Sequence, residues 1–179
     1  MKINKTTTCC CLGEWRMGDS QLASRIAGEA EELVRDGVDT FLCVGAGYYD
    51  IVCAGAVRGL RQQGKQPVRC LLVAAREDTP RYDPQLYDGV IALGGDPRDP
   101  RGLGRRLRYL VDNADYALAH VCMGGTLLAS AMDYAEVQQL DIHYLTFDFL
   151  PDCDASRKIR EVKRLLSAAQ YILDGNLSE

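Results

Sequence analysis

The sequence has no long apolar run, no internal repeat and no low-complexity tract. No stretch approaches the roughly 18 consecutive apolar residues of a membrane-spanning helix, so we expect no membrane contact. No apolar segment typical of a secretion signal precedes Glu14 and Arg16, and we therefore expect a protein of the reducing cytoplasm. With 47% hydrophobic and 26% charged residues, the composition excludes disordered, collagen-like and coiled-coil chains.

An excess of basic residues is also missing. The chain has 21 Lys and Arg against 25 Asp and Glu, which gives a formal net charge of -4. Because neutralising phosphates requires an excess of Lys and Arg, this balance makes nucleic acid an unlikely partner. The length of 179 residues is close to the usual size of one domain, so we expect a single domain over residues 1–179.

Cysteine is the one residue type present in unusual number, with eight in the chain. No two cysteines have the Cys-x-x-Cys spacing of metal sites, and both histidines are isolated. The cysteines at 9–11 lie in a predicted strand, whose successive side chains point to opposite faces, so they cannot converge on one ion. We predict no metal site and no cofactor, and interpret Cys43, Cys70 and Cys122 as small buried residues of strands.

Short apolar runs alternate with longer segments in which apolar residues recur at helical spacing. Strands are predicted at residues 7–12, 40–44, 68–74, 89–93, 116–121 and 142–147. Helices are predicted at residues 22–34, 51–63, 103–111, 126–137 and 156–173. This alternation predicts an α/β, Rossmann-like, doubly wound fold, in which a mostly parallel sheet carries helices on both faces. The last helix packs either on the sheet or against a second subunit of a homo-oligomer.

Glycines follow three of the predicted strands. They are Gly13, Gly45 with Gly47, and Gly124 with Gly125. In parallel sheets, ligands bind at the carboxyl ends of the strands, where the strand order reverses. Glycine lets the backbone approach a ligand closely, and the N-terminus of a following helix favours an anion. These strand ends therefore predict a phosphate-binding crevice.

Each signal at the strand ends also has a plainer interpretation. Asp50 stands at the third glycine position of the dinucleotide fingerprint, so the NAD pattern is not met, and Asp50 is either a ligand contact or a helix N-cap. Thr126 either begins a phosphate-binding helix or only caps it after a tight turn. Trp15 is either a packing residue or a surface on which a base stacks.

Arginines cluster between residues 98 and 108 of this acidic chain. They are Arg98, Arg101, Arg105, Arg106 and Arg108. The cluster is either a solvated loop and helix face or a local anion-binding patch. Because Arg106 and Arg108 are two residues apart on a helix, at most one of them would point into a given cleft.

Three motifs have counterparts in a known family. Residues 44–50, Val-Gly-Ala-Gly-Tyr-Tyr-Asp, share the first glycine and the aspartate with a Ser-Gly-x-Ala-x-Gly-x-Asp pattern. Residues 106–112 match Arg-Asn-Arg-Tyr-Met-Val-Asp except at Leu107 and Leu110, and residues 124–126 match Gly-Gly-Thr. In this order the motifs resemble the SLOG superfamily, which includes the Smf/DprA and LOG proteins, and within it the YpsA/YoqJ-like branch.

The resemblance covers roughly residues 7–147 and implies a Rossmann-like fold with a nucleotide or nucleotide-derived ligand at the carboxyl edge of the sheet. The family's first motif, Thr-Gly-His-Arg-Pro, is altered here to Gly13-Glu14-Trp15-Arg16, so its histidine is absent. The candidate ligand-binding residues are Gly13, Trp15, Arg16, Gly45, Gly47, Asp50, Arg106, Arg108, Asp112, Gly124, Gly125 and Thr126.

Two other functions follow from the same resemblance. LOG proteins are nucleoside-phosphate glycosidases with the motif Pro-Gly-Gly-x-Gly-Thr-x-x-Glu, whose glutamate is catalytic. Ala129 stands at that position here, so we predict binding or sensing of a small nucleotide-like ligand, with no catalytic residue. The third function is single-stranded DNA binding as in DprA, whose Arg-Asn-Arg helix resembles residues 106–108.

Overall fold

Strands and helices alternate along the chain in the computed structural model, which describes residues 3–15, 21–64, 67–96, 99, 101–121 and 125–145. The strands are β1 (Thr8–Gly13), β2 (Thr40–Cys43), β3 (Arg69–Ala74), β4 (Gly89–Ala92), β5 (Tyr116–His120) and β6 (Asp141–Tyr144). The helices are α1 (Leu22–Arg35), α2 (Tyr48–Gln62), α3 (Arg101–Asp112) and α4 (Leu127–Val137), and a short 3₁₀ turn spans Lys5–Thr7.

The six strands form one sheet in the order β4-β3-β2-β1-β5-β6, and every neighbouring pair is parallel. From β1 the chain adds β2, β3 and β4 on one side, and then returns to place β5 and β6 on the other side. The order therefore reverses between β1 and β5, which is the position where such sheets bind ligands. The predicted doubly wound α/β fold is confirmed.

Helices cover both faces of the sheet. One buried cluster joins Cys9 and Cys11 to residues of α1 and α2, such as Ile26 and Val57. The other joins Cys10 to residues of α3 and α4. The consecutive cysteines of β1 therefore alternate between the two faces of the sheet, as predicted from the alternation of side chains along a strand.

The cysteines of the described residues are buried free thiols. Cys43 and Cys70 lie in neighbouring strands with their Sγ atoms 3.8 Å apart, which confirms that they are buried strand residues. Cys122 lies outside the described residues. Within the described ranges, no group of three or more His, Cys, Asp or Glu side chains is placed to hold a metal ion.

Two helices begin earlier than predicted. Helix α2 begins at Tyr48 instead of residue 51, because Gly47 is its N-cap and residues 48–50 form part of its first turn. Helix α3 begins at Arg101 instead of residue 103. The segment at 76–88, predicted as a loop or a short helix, consists of turns, as in the hydrogen bond from Tyr82 N–H to the Thr79 carbonyl.

The described residues belong to one compact unit that ends at Leu145. The predicted helix at 156–173 lies outside the described residues, so a single domain over the whole chain remains a prediction. None of the helices in the described ranges has the length and apolar character needed to cross a membrane.

Candidate ligand-binding site

A cleft of about 520 Å³ lies at the carboxyl ends of β1 and β2. It is lined by residues 13–15 after β1, residues 46–50 at the start of α2, Leu103 and Leu107 of α3, and residues 126–128 at the start of α4. We call it the apolar cleft. Its position beside β1 is the switch point of the sheet, where the strand order reverses.

The apolar cleft brings together residues that are far apart in the sequence. Five of the predicted site residues line it: Gly13, Trp15, Gly47, Asp50 and Thr126. Sequence reasoning missed the side chains of α3 that complete the wall. Their spacing of four residues on a helix places Leu103 and Leu107 on one face, but only the fold shows that this face borders the cleft.

Gly13 is a glycine because Tyr49 packs across it. A Cβ atom at Gly13 would lie 2.3 Å from Cζ of Tyr49, which is too close for two carbon atoms that are not bonded. The Tyr49 hydroxyl donates a hydrogen bond of 3.0 Å to the Leu118 carbonyl of β5, which holds the buried ring in place. Gly13 therefore serves the packing of α2 on β1 as well as lining the cleft.

Trp15 and Tyr48 form an aromatic wall of the apolar cleft. Their ring centroids are 4.7 Å apart and the rings meet edge to face at 75°. Tyr48 is 56% exposed. Exposed aromatic side chains in a concave site provide a surface for a flat apolar group.

Asp50 is not the N-cap of α2, contrary to one of its two interpretations. It is the third residue of the helix, and its carboxylate accepts hydrogen bonds from Ala46 N–H at 2.8 Å and Val44 N–H at 3.3 Å. Burial raises the pKa of this carboxyl group to about 7, although these hydrogen bonds lower it. The Asp50 carboxyl group therefore ties the first turn of α2 to the loop after β2.

Thr126 is the N-cap of α4, as the plainer interpretation predicted. Its hydroxyl accepts a hydrogen bond of 3.1 Å from Ala129 N–H, and the residue also lines the apolar cleft. Gly125 precedes it with a φ of +78°, a conformation that favours glycine. Gly124 and Arg16 lie outside the described residues.

A second cleft, of about 440 Å³, lies beyond the end of β3. It is lined by Ala75, Arg76, residues 78–81 and Arg106 of α3, and we call it the arginine cleft. Sequence reasoning predicted Arg106 but missed Arg76 and Arg81, because residues 76–88 carry no periodic pattern. Their position in the sequence could have indicated them, because this segment follows a strand and the carboxyl ends of parallel strands meet at one edge of the sheet.

Arg108 and Asp112 lie elsewhere, and their predicted place in the ligand site is not supported. The Arg108 guanidinium lies 5.0 Å from the centre of the Tyr134 ring, and its Nε lies 3.7 Å from an Asp112 carboxylate oxygen. The Tyr134 hydroxyl donates a 2.7 Å hydrogen bond to Asp112. These residues connect α3 to α4 and line neither cleft. Of the two arginines, only Arg106 lines a cleft, which agrees with the prediction from their spacing that at most one of them would.

Gly45 lies between the two clefts. Its φ of +63° favours glycine, and a Cβ atom there would lie 3.6 Å from both Cβ and Cδ of Arg81. The loop that carries Gly45 therefore borders the apolar cleft through Ala46 and Gly47 and contacts the arginine cleft through Arg81.

Solved structures share this fold. DNA processing protein A (DprA) from Streptococcus pneumoniae superposes with a TM-score of 0.61 and 13% identity, over 88% of this chain and 57% of its own. A molybdenum cofactor binding protein from Rippkaea orientalis superposes with a TM-score of 0.56 and 13% identity, over 86% of this chain and 82% of its own. DprA from Helicobacter pylori, whose structure describes a single-stranded DNA binding mode, superposes with a TM-score of 0.59 and 13% identity, over 79% of this chain and 66% of its own.

The chain thus spans only 57% of the length of the Streptococcus pneumoniae protein, and an identity of 13% concerns the fold alone. No protein-family model and no curated protein sequence matches the chain. The expectation that nucleic acid is an unlikely partner finds no support in these neighbours, since one of them binds single-stranded DNA. The chain has the Rossmann-like α/β fold of the DprA proteins, as the resemblance of its motifs to the SLOG superfamily predicted.

Proposed function

We propose that the protein binds a nucleotide or nucleotide-derived ligand, with the flat base in the apolar cleft. The observation that carries the proposal is the convergence of Gly13, Trp15, Gly47, Asp50 and Thr126 on one cleft beside the switch point of the sheet. These residues come from the end of β1 and the segment after it, from the start of α2 and from the N-cap of α4.

The size and lining of the apolar cleft suit such a ligand. Its volume of about 520 Å³ falls in the range of sites for small molecules and cofactors, roughly 300–1,000 Å³. Trp15 and Tyr48 provide aromatic surface, and Leu103 and Leu107 provide aliphatic surface. Few polar groups converge there, which is typical of a site that holds a ring by contact with its faces.

The chemistry of the lining favours binding over hydrolysis. The acidic side chains that line the apolar cleft are Glu14 and Asp50. Asp50 is buried, and its two carboxyl oxygens accept from the backbone N–H groups of Val44 and Ala46, which is a structural role. Ala129, at the position of the LOG glutamate, has no group for acid–base chemistry.

Trp15 makes the proposal directly measurable, because it is the single tryptophan of the chain and lines the cleft. A panel of AMP, ADP, GDP and ADP-ribose is titrated while tryptophan fluorescence is recorded. At least one of these compounds is expected to change the emission saturably and to raise the melting temperature.

A pair of glycine variants shows whether the signal arises from the cleft. Gly47→Leu places a side chain at the cleft wall in extended backbone that any residue adopts, and a Cβ atom there meets no atom within 4 Å. Gly28→Leu, on α1 and equally open, is the matched control. Gly47→Leu is expected to weaken nucleotide binding at least about tenfold, and Gly28→Leu to leave it unchanged. Equal affinity in both variants, or no response to any nucleotide, contradicts the proposal.

Single-stranded DNA is the second candidate, and it is favoured by the aromatic side chains of the apolar cleft together with the arginines of the arginine cleft. Base stacking on aromatic rings combined with a basic groove is how such proteins bind single strands. Binding of a dT oligonucleotide that weakens steeply between 50 and about 200 mM salt, in the absence of nucleotide binding, would favour it over the first proposal.

A further inference from the structure

The apolar cleft is poorly suited to the phosphate end of a nucleotide. Among the described residues that line it, the acidic side chains are Glu14 and Asp50, and no lysine or arginine is present. The Asp50 carboxyl group lies against the loop that leads into α2, and the Thr126 hydroxyl accepts from the first turn of α4. A phosphate there would face carboxylates without a cation to pair with.

The arginine cleft has the opposite charge. Arg76 is paired with Asp78 by two hydrogen bonds, of 2.8 and 2.7 Å. Among the described residues of the lining, Asp78 is the single carboxylate. Within the described part of the chain, Arg81 and Arg106 make no ion pair with a carboxylate. The described residues therefore leave both guanidinium groups without a directly contacting carboxylate, although the more distant charge of Asp50 attracts Arg106.

Arg106 is also incompletely hydrogen-bonded. Its Nε atom is buried and has no hydrogen-bond partner, and a buried polar group without a partner is costly. Burial and the neighbouring positive charges of Arg81 and Arg105 lower the pKa of Arg106. An anion with several acceptor oxygens in the arginine cleft would reduce the repulsion between these guanidinium groups.

The two clefts are adjacent, so that one ligand can occupy both. Arg81 packs on Gly45, and the next residues of that loop, Ala46 and Gly47, line the apolar cleft. On α3, Arg106 lines one cleft while the next residue, Leu107, lines the other. The clefts therefore share the Gly45 loop and one turn of α3.

We propose that the arginine cleft binds the phosphate end of the nucleotide, through Arg81 and Arg106, while the base occupies the apolar cleft. The identity of the ligand as a nucleotide rests on the function proposed above, whereas the phosphate site rests on the arginines alone. This position differs from the one predicted from the sequence, in which the glycines before Thr126 placed the phosphate at the N-terminus of α4.

Inorganic pyrophosphate tests the phosphate site without the base. Its affinity is measured by calorimetry for the wild type and for Arg81→Gln, Arg106→Gln and Arg101→Gln. Arg101 is the control, because it lies exposed on the same helix and lines neither cleft. Each cleft variant is expected to weaken binding about tenfold or more, since a charge-assisted hydrogen bond is lost, and the control to leave it unchanged. Absence of pyrophosphate binding, or equal losses in all three variants, overturns the phosphate site.

ADP and adenosine separate failure of the phosphate site from failure of the nucleotide proposal. Trp15 fluorescence is expected to respond to both compounds, with ADP binding more tightly, and Arg106→Gln is expected to bring ADP close to adenosine. If Gly47→Leu weakens ADP but Arg81→Gln and Arg106→Gln do not, the nucleotide proposal holds and the phosphate site is wrong. If pyrophosphate binds through the arginines but no nucleotide changes the fluorescence, the phosphate site holds and the nucleotide proposal fails.

The stability of an Arg106→Met variant distinguishes a ligand contact from a structural arginine. Methionine keeps an unbranched apolar chain and removes the buried Nε that lacks a partner, so the melting temperature of the free protein is expected to stay equal or rise. Pyrophosphate binding is expected to be lost in the same variant. A melting temperature that falls by several degrees would show that Arg106 supports the fold.

A dT oligonucleotide offers a separate comparison. If it binds through Arg81 and Arg106 while ADP does not bind, the ligand is single-stranded DNA and the nucleotide proposal is wrong.

Discussion

The apolar cleft and the arginine cleft lie at the same edge of the sheet but differ in how their polar groups are satisfied. In the apolar cleft, Asp50 accepts from Ala46, Thr126 accepts from Ala129, and Tyr49 donates to Leu118. In the arginine cleft, the buried Nε of Arg106 has no hydrogen-bond partner. A site whose polar groups are already paired holds a ligand by contact, whereas a site with unpaired donors gains most from an anion.

Replacing Gly13 by alanine should have the largest effect on stability, because the new side chain would disrupt the wall of the apolar cleft. The arginine cleft should not be affected. The new Cβ atom would lie 2.3 Å from the buried Tyr49 ring, so we expect a loss of about 3 kcal/mol or more in the free energy of unfolding. Urea denaturation measures it. Gly47→Ala, with no atom within 4 Å of its Cβ, is the control, and equal midpoints for the two variants would refute the packing role of Gly13.

Asp50 should make stability depend on pH. Below about pH 4 the carboxyl is protonated in the folded and the unfolded chain. Between about pH 4 and 7 the unfolded chain releases this proton while the folded chain retains it, since burial raises the pKa of Asp50 to about 7. Stability should therefore fall as the pH rises, by about 2–3 kcal/mol between pH 5 and 8.

The variant Asp50→Asn isolates this contribution, because asparagine is neutral throughout and keeps an acceptor for the Ala46 N–H. Urea midpoints of both proteins at pH 5 and pH 8 are compared. The wild type is expected to lose more stability than the variant over this interval. Parallel changes in the two proteins would mean that the folded Asp50 is ionised at both pH values.

Removing the cap of α4 should have a smaller effect, which also separates the two clefts. Thr126→Ala removes the acceptor for Ala129 N–H and is expected to cost about 1 kcal/mol, while Thr126→Ser retains it. If the phosphate lies in the arginine cleft, the affinity for ADP should change by no more than about twofold in either variant. A tenfold loss of ADP affinity in Thr126→Ala would place the phosphate at α4 instead.

The smallest effect is expected for Arg108→Ala. Its side chain is 71% exposed and contacts Asp112 and Tyr134, so thermal denaturation should show a loss of at most about 1 kcal/mol. Binding of pyrophosphate should be unchanged, in contrast to Arg106→Gln. Equal losses of pyrophosphate affinity in these two variants would show that the charge of the whole helix, not the cleft, attracts the anion.

Much of the fold could be predicted, because the signals are local. The apolar runs at 40–44 and 68–74 and the helical periodicity after residue 22 depend only on neighbouring residues, and each appears close to its predicted position. Errors occurred at helix starts, as after Gly47, where Asp50 interrupts the apolar pattern. Thr126 was anticipated as a cap because that role also depends on the next three residues.

The site could be predicted only in part. Gly13, Trp15 and Thr126 were identified because strand ends of a parallel sheet converge on one edge. Arg76 and Arg81 were missed because turns have no periodicity. Arg108 lines neither cleft, which the motif could not show because its spacing does not indicate which face of α3 borders a cleft. The reason that Gly13 is a glycine required knowing that the Tyr49 ring packs over it.

By itself, the sequence determined the alternation of strands and helices, the parallel sheet, and the burial of consecutive cysteines on opposite faces of β1, since these depend on side-chain periodicity along a short segment. Only the tertiary structure decided which charges share a cleft. Glu14 and Asp50 lie in one cleft and Arg81 and Arg106 in the other because the order of the strands brings distant segments together. Electrostatic interactions depend on distance in space, which the spacing of residues along the chain does not specify.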